Sequence, residues 1–65
     1  MLLRESKPGD YHQMADILYG MGHDQEGWDY QYASEGGPEP SLPSWVAVEG
    51  DEVLGLVEGR FDSTL

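Results

Sequence analysis

The sequence predicts a small α/β fold of the α+β type, built on a mainly antiparallel sheet. Three observations predict it. A capped, amphipathic helical segment lies near the N-terminus, and from Ser44 the apolar period changes to two. Between them runs a stretch rich in glycine, proline and acidic residues. With 65 residues the chain forms one domain at most. A chain this short buries only about 60% of its unfolded surface and is marginal for that reason. It contains no cysteine, so no disulfide offsets the deficit.

Residues 1–6 read as a short strand that stops at Lys7-Pro8-Gly9, because Pro-Gly is a strong turn signal. Asp10 occupies an N-cap position with Gln13 three residues later, the spacing of a capping box. Tyr11, Met14, Ala15, Ile17, Leu18 and Met21 then recur at helical spacing, with His12, Gln13 and Asp16 on the other side. The helix is expected within 10–21, with Tyr11 to Tyr19 as its body and Gly20 and Gly22 as stop signals. Residues 22–43 read as an acidic, aromatic loop, with room for a short helical turn around 28–34. Its last part, 35–43, is too rich in Gly and Pro for regular structure.

Residues 44–61 read as a β-hairpin. Gly50-Asp51 is a glycine-first turn of the two-residue type. Placing Glu49 opposite Glu52 pairs Val48 with Val53, Ala47 with Leu54, Val46 with Gly55 and Trp45 with Leu56. One face then carries Val46, Val48, Val53 and Val57, and the other Trp45, Ala47, Leu54 and Leu56. Both faces are apolar and call for cover. A single helix covers one, so the fold is expected to be incomplete, finished by further polypeptide or by a second chain.

Charge narrows the function classes. Thirteen acidic residues against three basic ones give a net charge of −10. Binding to nucleic acid or to an anionic membrane needs Lys and Arg, and only Arg4, Lys7 and Arg60 exist. A cationic partner is electrostatically permitted, and acidity also keeps a protein soluble. No signal peptide and no membrane span is visible, which points to a cytoplasmic protein. The serines Ser6, Ser34, Ser41, Ser44 and Ser63 sit in no nucleophile motif. His12, His23, Asp24 and Glu26 match no metal-ligand spacing, so no metal site is expected.

The order of elements resembles the N-terminal half of a GNAT-type N-acetyltransferase. Leu3-Arg4-Glu5-Ser6 with Lys7-Pro8-Gly9-Asp10 carries the first part of the likeness, and the run from Trp45 to Val57 carries the second. The resemblance covers about two thirds of the chain and skips the central loop. It implies transfer of an acetyl group from acetyl-CoA to a primary amine by direct attack of the neutral amine on the thioester. The family's pyrophosphate loop, Q/R-x-x-G-x-G/A at a helix start, has no match in this sequence. Gly20-Met21-Gly22 follows a helix and lacks a third glycine at Gln25. No catalytic residue and no cofactor-binding residue is therefore assigned, and the chain alone is expected to be inactive.

In that family the segment between the first helix and the second strand shapes the acceptor site. Here it holds Asp24, Glu26, Trp28, Asp29, Tyr30 and Tyr32. Carboxylates attract an ammonium by charge, and aromatic faces add cation–π attraction. Asp24, Glu26, Trp28, Asp29 and Tyr30 are therefore candidate acceptor contacts. Glu58, at the far end of the hairpin, is a sixth, placed to take a proton from an ammonium. The expected partner is a small amine or a lysine side chain. The competing reading is a non-catalytic acidic module that binds a basic partner or completes its sheet with another chain.

Overall fold

A computed structural model of the chain describes residues 1–59. Strand β1 (Leu2–Glu5) leads through a single 3₁₀ turn at Pro8–Asp10 into helix α1 (Tyr11–Gly20). Helix α2 (Asp24–Ser34) follows, and then strands β2 (Ser44–Glu49) and β3 (Glu52–Glu58). The three strands form one antiparallel sheet in the order β1-β2-β3. The hairpin's expected extension to Phe61 lies outside the described residues.

The α1 stripe makes the core. Tyr11, Met14, Ala15 and Leu18 are buried against Val46, Val48 and Val53 of the sheet, and Tyr30 of α2 joins them. Met21, expected to continue the stripe, is exposed at the helix end.

The expected capping box is corrected. Asp10 makes no side-chain cap to α1. It turns back one turn earlier, where it accepts the backbone N–H of Lys7 at 2.8 Å. It also accepts two hydrogen bonds from the Arg4 guanidinium, at 2.7 and 3.0 Å. The Arg4 bonds are the main reason its carboxyl is held below the usual carboxylate range. Gln13 is not a capping residue either. Its amide donates to the Asp51 carbonyl and accepts from Val53 N–H, so it fastens α1 to the hairpin turn.

The central segment is also corrected. Residues 24–34 form a full helix rather than a loop. Asp24 and Glu26 lie in its first turn, where carboxylates favour the positive end of the helix dipole. Gly27 is buried at the crossing of the two helices. A Cβ there would sit 2.9 Å from the Tyr19 ring and 3.2 Å from the Ala15 carbonyl. A side chain there would force the Tyr19 ring or the Ala15 carbonyl to shift. Residues 35–43 contain no helix or strand, in keeping with their Gly and Pro content.

The hairpin register holds at Glu49↔Glu52 and Val48↔Val53 and then slips by one residue. A bulge between Ala47 and Val48 pairs Ala47 with Gly55, Val46 with Leu56, Trp45 with Val57 and Ser44 with Glu58. The slip exchanges the expected faces of two residues. Leu56 packs against the core, and Val57 is exposed. Glu58 shares its strand face with Leu56. Leu3, Leu54 and Val57 are exposed on the sheet face away from the core.

Candidate functional site

Helix α2 and the segment after it build an open cleft of about 320 Å³. Trp28 and Tyr32 are one helical turn apart, so their side chains meet on the exposed side of α2. Their rings stack at 5.6 Å with an interplanar angle of 28°. The chain then reverses at Gly36 and Gly37, where Gly37 N–H donates to the Tyr32 carbonyl at 2.9 Å. The reversal brings Pro38, Glu39 and Pro40 back beside the two rings. Asp29 and Glu39 put two carboxylates on the walls, and among the described residues no Lys or Arg lines the cleft. Its chemistry is that of a cation site: two aromatic faces and two negative charges.

A second groove, of about 370 Å³, lies on the other side of Glu39, Pro40 and Ser41, which line both. Its remaining wall comes from the β1 end, Pro8, Tyr11 and the start of β2. The sheet register brings Ser6 and Ser44 together here. Ser6 N–H donates to the Ser44 carbonyl at 2.9 Å, and the two hydroxyls are hydrogen-bonded to each other.

Behind that groove lies a buried polar cluster. The Tyr30 hydroxyl donates to a Glu58 carboxylate oxygen at 2.8 Å. Burial is the largest reason that the phenol's pKa is pushed up to about 12, and the Glu58 carboxylate raises it further. The Ser44 side chain opposes the shift. Tyr30 meets Tyr11 edge-on, with ring centroids 5.4 Å apart. Tyr11 also has a raised pKa, first through burial and then through the negative charges of Glu39 and Asp10.

The six residues singled out in the sequence do not form one site. Trp28 and Asp29 share the cleft. Tyr30 and Glu58 are brought together by a hydrogen bond, with Tyr30 buried in the core. Asp24 and Glu26 are exposed in the first turn of α2 and line neither cavity. Glu39 was missed, because residues 35–43 carry no periodicity that would aim a side chain. Ser6 and Ser44 were missed because they are 38 residues apart in sequence, and only strand pairing unites them.

Among the described residues, no group of three or more His, Asp or Glu side chains is arranged to hold a metal ion. No helix among them is long and apolar enough to cross a membrane. No family model, no curated protein and no solved structure matches the chain.

Proposed function

We propose that the chain forms the amine-acceptor side of a cytoplasmic, acetyl-CoA-dependent N-acetyltransferase. The cleft of Trp28, Tyr32, Asp29 and Glu39 carries the reading. A primary ammonium there exchanges water for two carboxylates and lies against aromatic faces, which is worth about 0.5–2 kcal/mol from cation–π attraction alone. The order of elements supports the same reading: an opening strand, a helix, an acidic segment and then an antiparallel hairpin beside the first strand.

Acetyl-CoA itself does not fit these residues. The Gly20-Met21-Gly22 turn does precede a helix start, but Asp24 and Glu26 occupy the first turn of that helix. Two carboxylates there repel a pyrophosphate. The chain's own contribution is therefore to collect, orient and partly desolvate the amine.

The test is an NMR titration of the ¹⁵N-labelled chain with butylammonium and, separately, with butyrate. Butylammonium is expected to shift the Trp28 indole N–H saturably, and butyrate to leave it in place. Trp28→Ala should weaken binding about tenfold, in line with loss of a cation–π contact. Asp29→Asn and Glu39→Gln should each weaken it several-fold. Equal response to butyrate, or no response to either probe, overturns the reading. The transfer step is tested on protein from its native source, incubated with acetyl-CoA and butylamine and assayed by mass spectrometry. A preparation that binds the amine and never acetylates it reduces the function to cation binding.

One observation favours the second reading, a non-catalytic acidic module completed by another chain. Leu3, Leu54 and Val57 are exposed on the outer face of the sheet, at 70%, 46% and 61% of their full accessibility. Under that reading Leu54→Lys with Val57→Lys abolishes an association seen by sedimentation, while amine binding at Trp28 plays no part.

A further inference from the structure

The outer face of the sheet has a shape as well as an apolar character. Ala47 and Gly55 stand opposite each other in its middle, on β2 and β3. Among the described residues, no atom lies within 4 Å of where a Cβ on Gly55 would stand, and its φ is not in the left-handed region. The register skips Leu54, so the bulge falls on that residue and not on Gly55. Neither backbone nor internal packing asks for glycine here, although glycine weakens a strand and often marks the close approach of another molecule. The two small residues make a low floor, with Leu3, Leu54 and Val57 exposed around it. Three strands span about 10 Å, the width of one α-helix. Both ends of the floor are acidic. Glu5 shares a row with Trp45 and Val57, and Glu49 pairs with Glu52 at the other end. All three glutamates are exposed. Of the described cations, Arg4 is held by Asp10 on the core side of β1, and Lys7 lies beyond the strand's end.

We infer that this face docks a basic, amphipathic α-helix of another polypeptide, with one large apolar side chain seated on the Ala47–Gly55 floor and Lys or Arg at each end of its apolar stripe. The inference rests on the second reading above, completion by another chain, and names that partner's chemistry. Charge selects the occupant. A second copy brings its own three glutamates against these, and its α1 stripe is already buried in its core. A basic helix meets all three with opposite charge, which steers the encounter and fixes its register. The Glu5 row and the Glu49 row are four residues of β2 apart, about 13 Å. A helix covers that distance in about nine residues. The partner's basic residues therefore bracket a stripe of leucine-like residues at helical spacing, about nine residues from one end to the other.

The probe is a synthetic helix of about 16 residues with a leucine stripe and lysines at both ends, titrated into the ¹⁵N-labelled full chain. The expected result is saturable one-to-one binding that shifts the N–H signals of Leu3, Ala47, Leu54 and Val57 and leaves the Trp28 indole in place. Gly55→Val is the deciding variant. It keeps the charge, suits a strand better than glycine and enters open space, so the urea midpoint should hold or rise. By filling the floor it should weaken the probe at least about tenfold. Glu49→Gln with Glu52→Gln should weaken it about tenfold as well. Asp24→Asn with Glu26→Gln removes the same charge from α2 and should change affinity less than about twofold. Equal losses in the two double variants, undiminished binding to Gly55→Val, or equal binding of a probe with glutamates for lysines each overturns the inference. So does dimerisation of the free chain through this face. A partner that co-sediments with protein from its native source and is released by Leu54→Lys with Val57→Lys, while the probe fails, overturns the helix and leaves the second reading standing. A native protein that sediments alone and ignores the probe overturns both.

Discussion

Tyr30 shows how one side chain serves both core and chemistry. It is 1% exposed, and its ring packs edge-on against Tyr11. A buried hydroxyl needs a partner, and Tyr30 finds one in Glu58. Its folded-state pKa of about 12 lies above the value near 10 of an unfolded tyrosine. The folded protein therefore keeps a proton that the unfolded chain releases. The stabilisation is complete below about pH 10 and is lost as pH rises towards 12. Unfolding followed by circular dichroism should show this alkaline limb in the parent protein, and Tyr30→Phe should flatten it. The same variant should lower stability at neutral pH by about 1–3 kcal/mol, because Glu58 loses its partner. An unchanged alkaline limb in Tyr30→Phe would assign the titration to another group.

At the scale of elements, α2 is the informative case. Its sequence has almost no amphipathic signature, since only Gly27 and Tyr30 are buried on it. A glycine inside a helix costs roughly 1 kcal/mol against alanine, so Gly27 reads as a loop residue. Its reason is tertiary. The Tyr19 ring and the Ala15 carbonyl of α1 occupy the space a side chain would need. Gly27→Ala should therefore destabilise the protein despite its better propensity, because overpacking costs about 1–3 kcal/mol against a gain of about 1. A urea midpoint that rises in Gly27→Ala would show that Tyr19 simply moves aside. Gln13 teaches the same lesson. Its spacing from Asp10 matches a capping box, yet its amide is worth more across 38 and 40 residues, bonding the Asp51 carbonyl and the Val53 N–H.

For the whole molecule, charge and the uncovered sheet face dominate. A net charge of −10 on 65 residues repels itself, and the repulsion is greatest in the compact state. Among the described residues one carboxylate is neutralised by a close ion pair, Asp10 with Arg4. Raising salt from about 10 to 150 mM shortens the Debye length from roughly 30 to 8 Å. The melting temperature should rise across that range, and a fall would mean that attractive pairs outweigh the repulsion. Both helices reach the same face of the sheet, so a second helix does not relieve the exposure of Leu3, Leu54 and Val57.

The sequence by itself determined what depends on neighbours in the chain. Periodicity over Tyr11–Leu18 marked the core stripe of α1, and Gly50, at φ 60°, marked the hairpin turn and the first two pairs of its register. Composition alone set the negative field. Tertiary structure decided the rest, because each remaining feature turns on an energy shared between distant residues. The bulge that turns Leu56 inward and Val57 outward gains by fitting the sheet to α1, a contact that no local pattern encodes. Helix α2 exists because Gly27 and Tyr30 dock on α1 and the sheet, not because its sequence favours a helix. The candidate site follows from both. Trp28 and Asp29 are aimed by a helix, Glu39 by a chain reversal, and Ser6 and Ser44 by strand pairing. Side chains that meet only after folding leave no spacing in the sequence to be read.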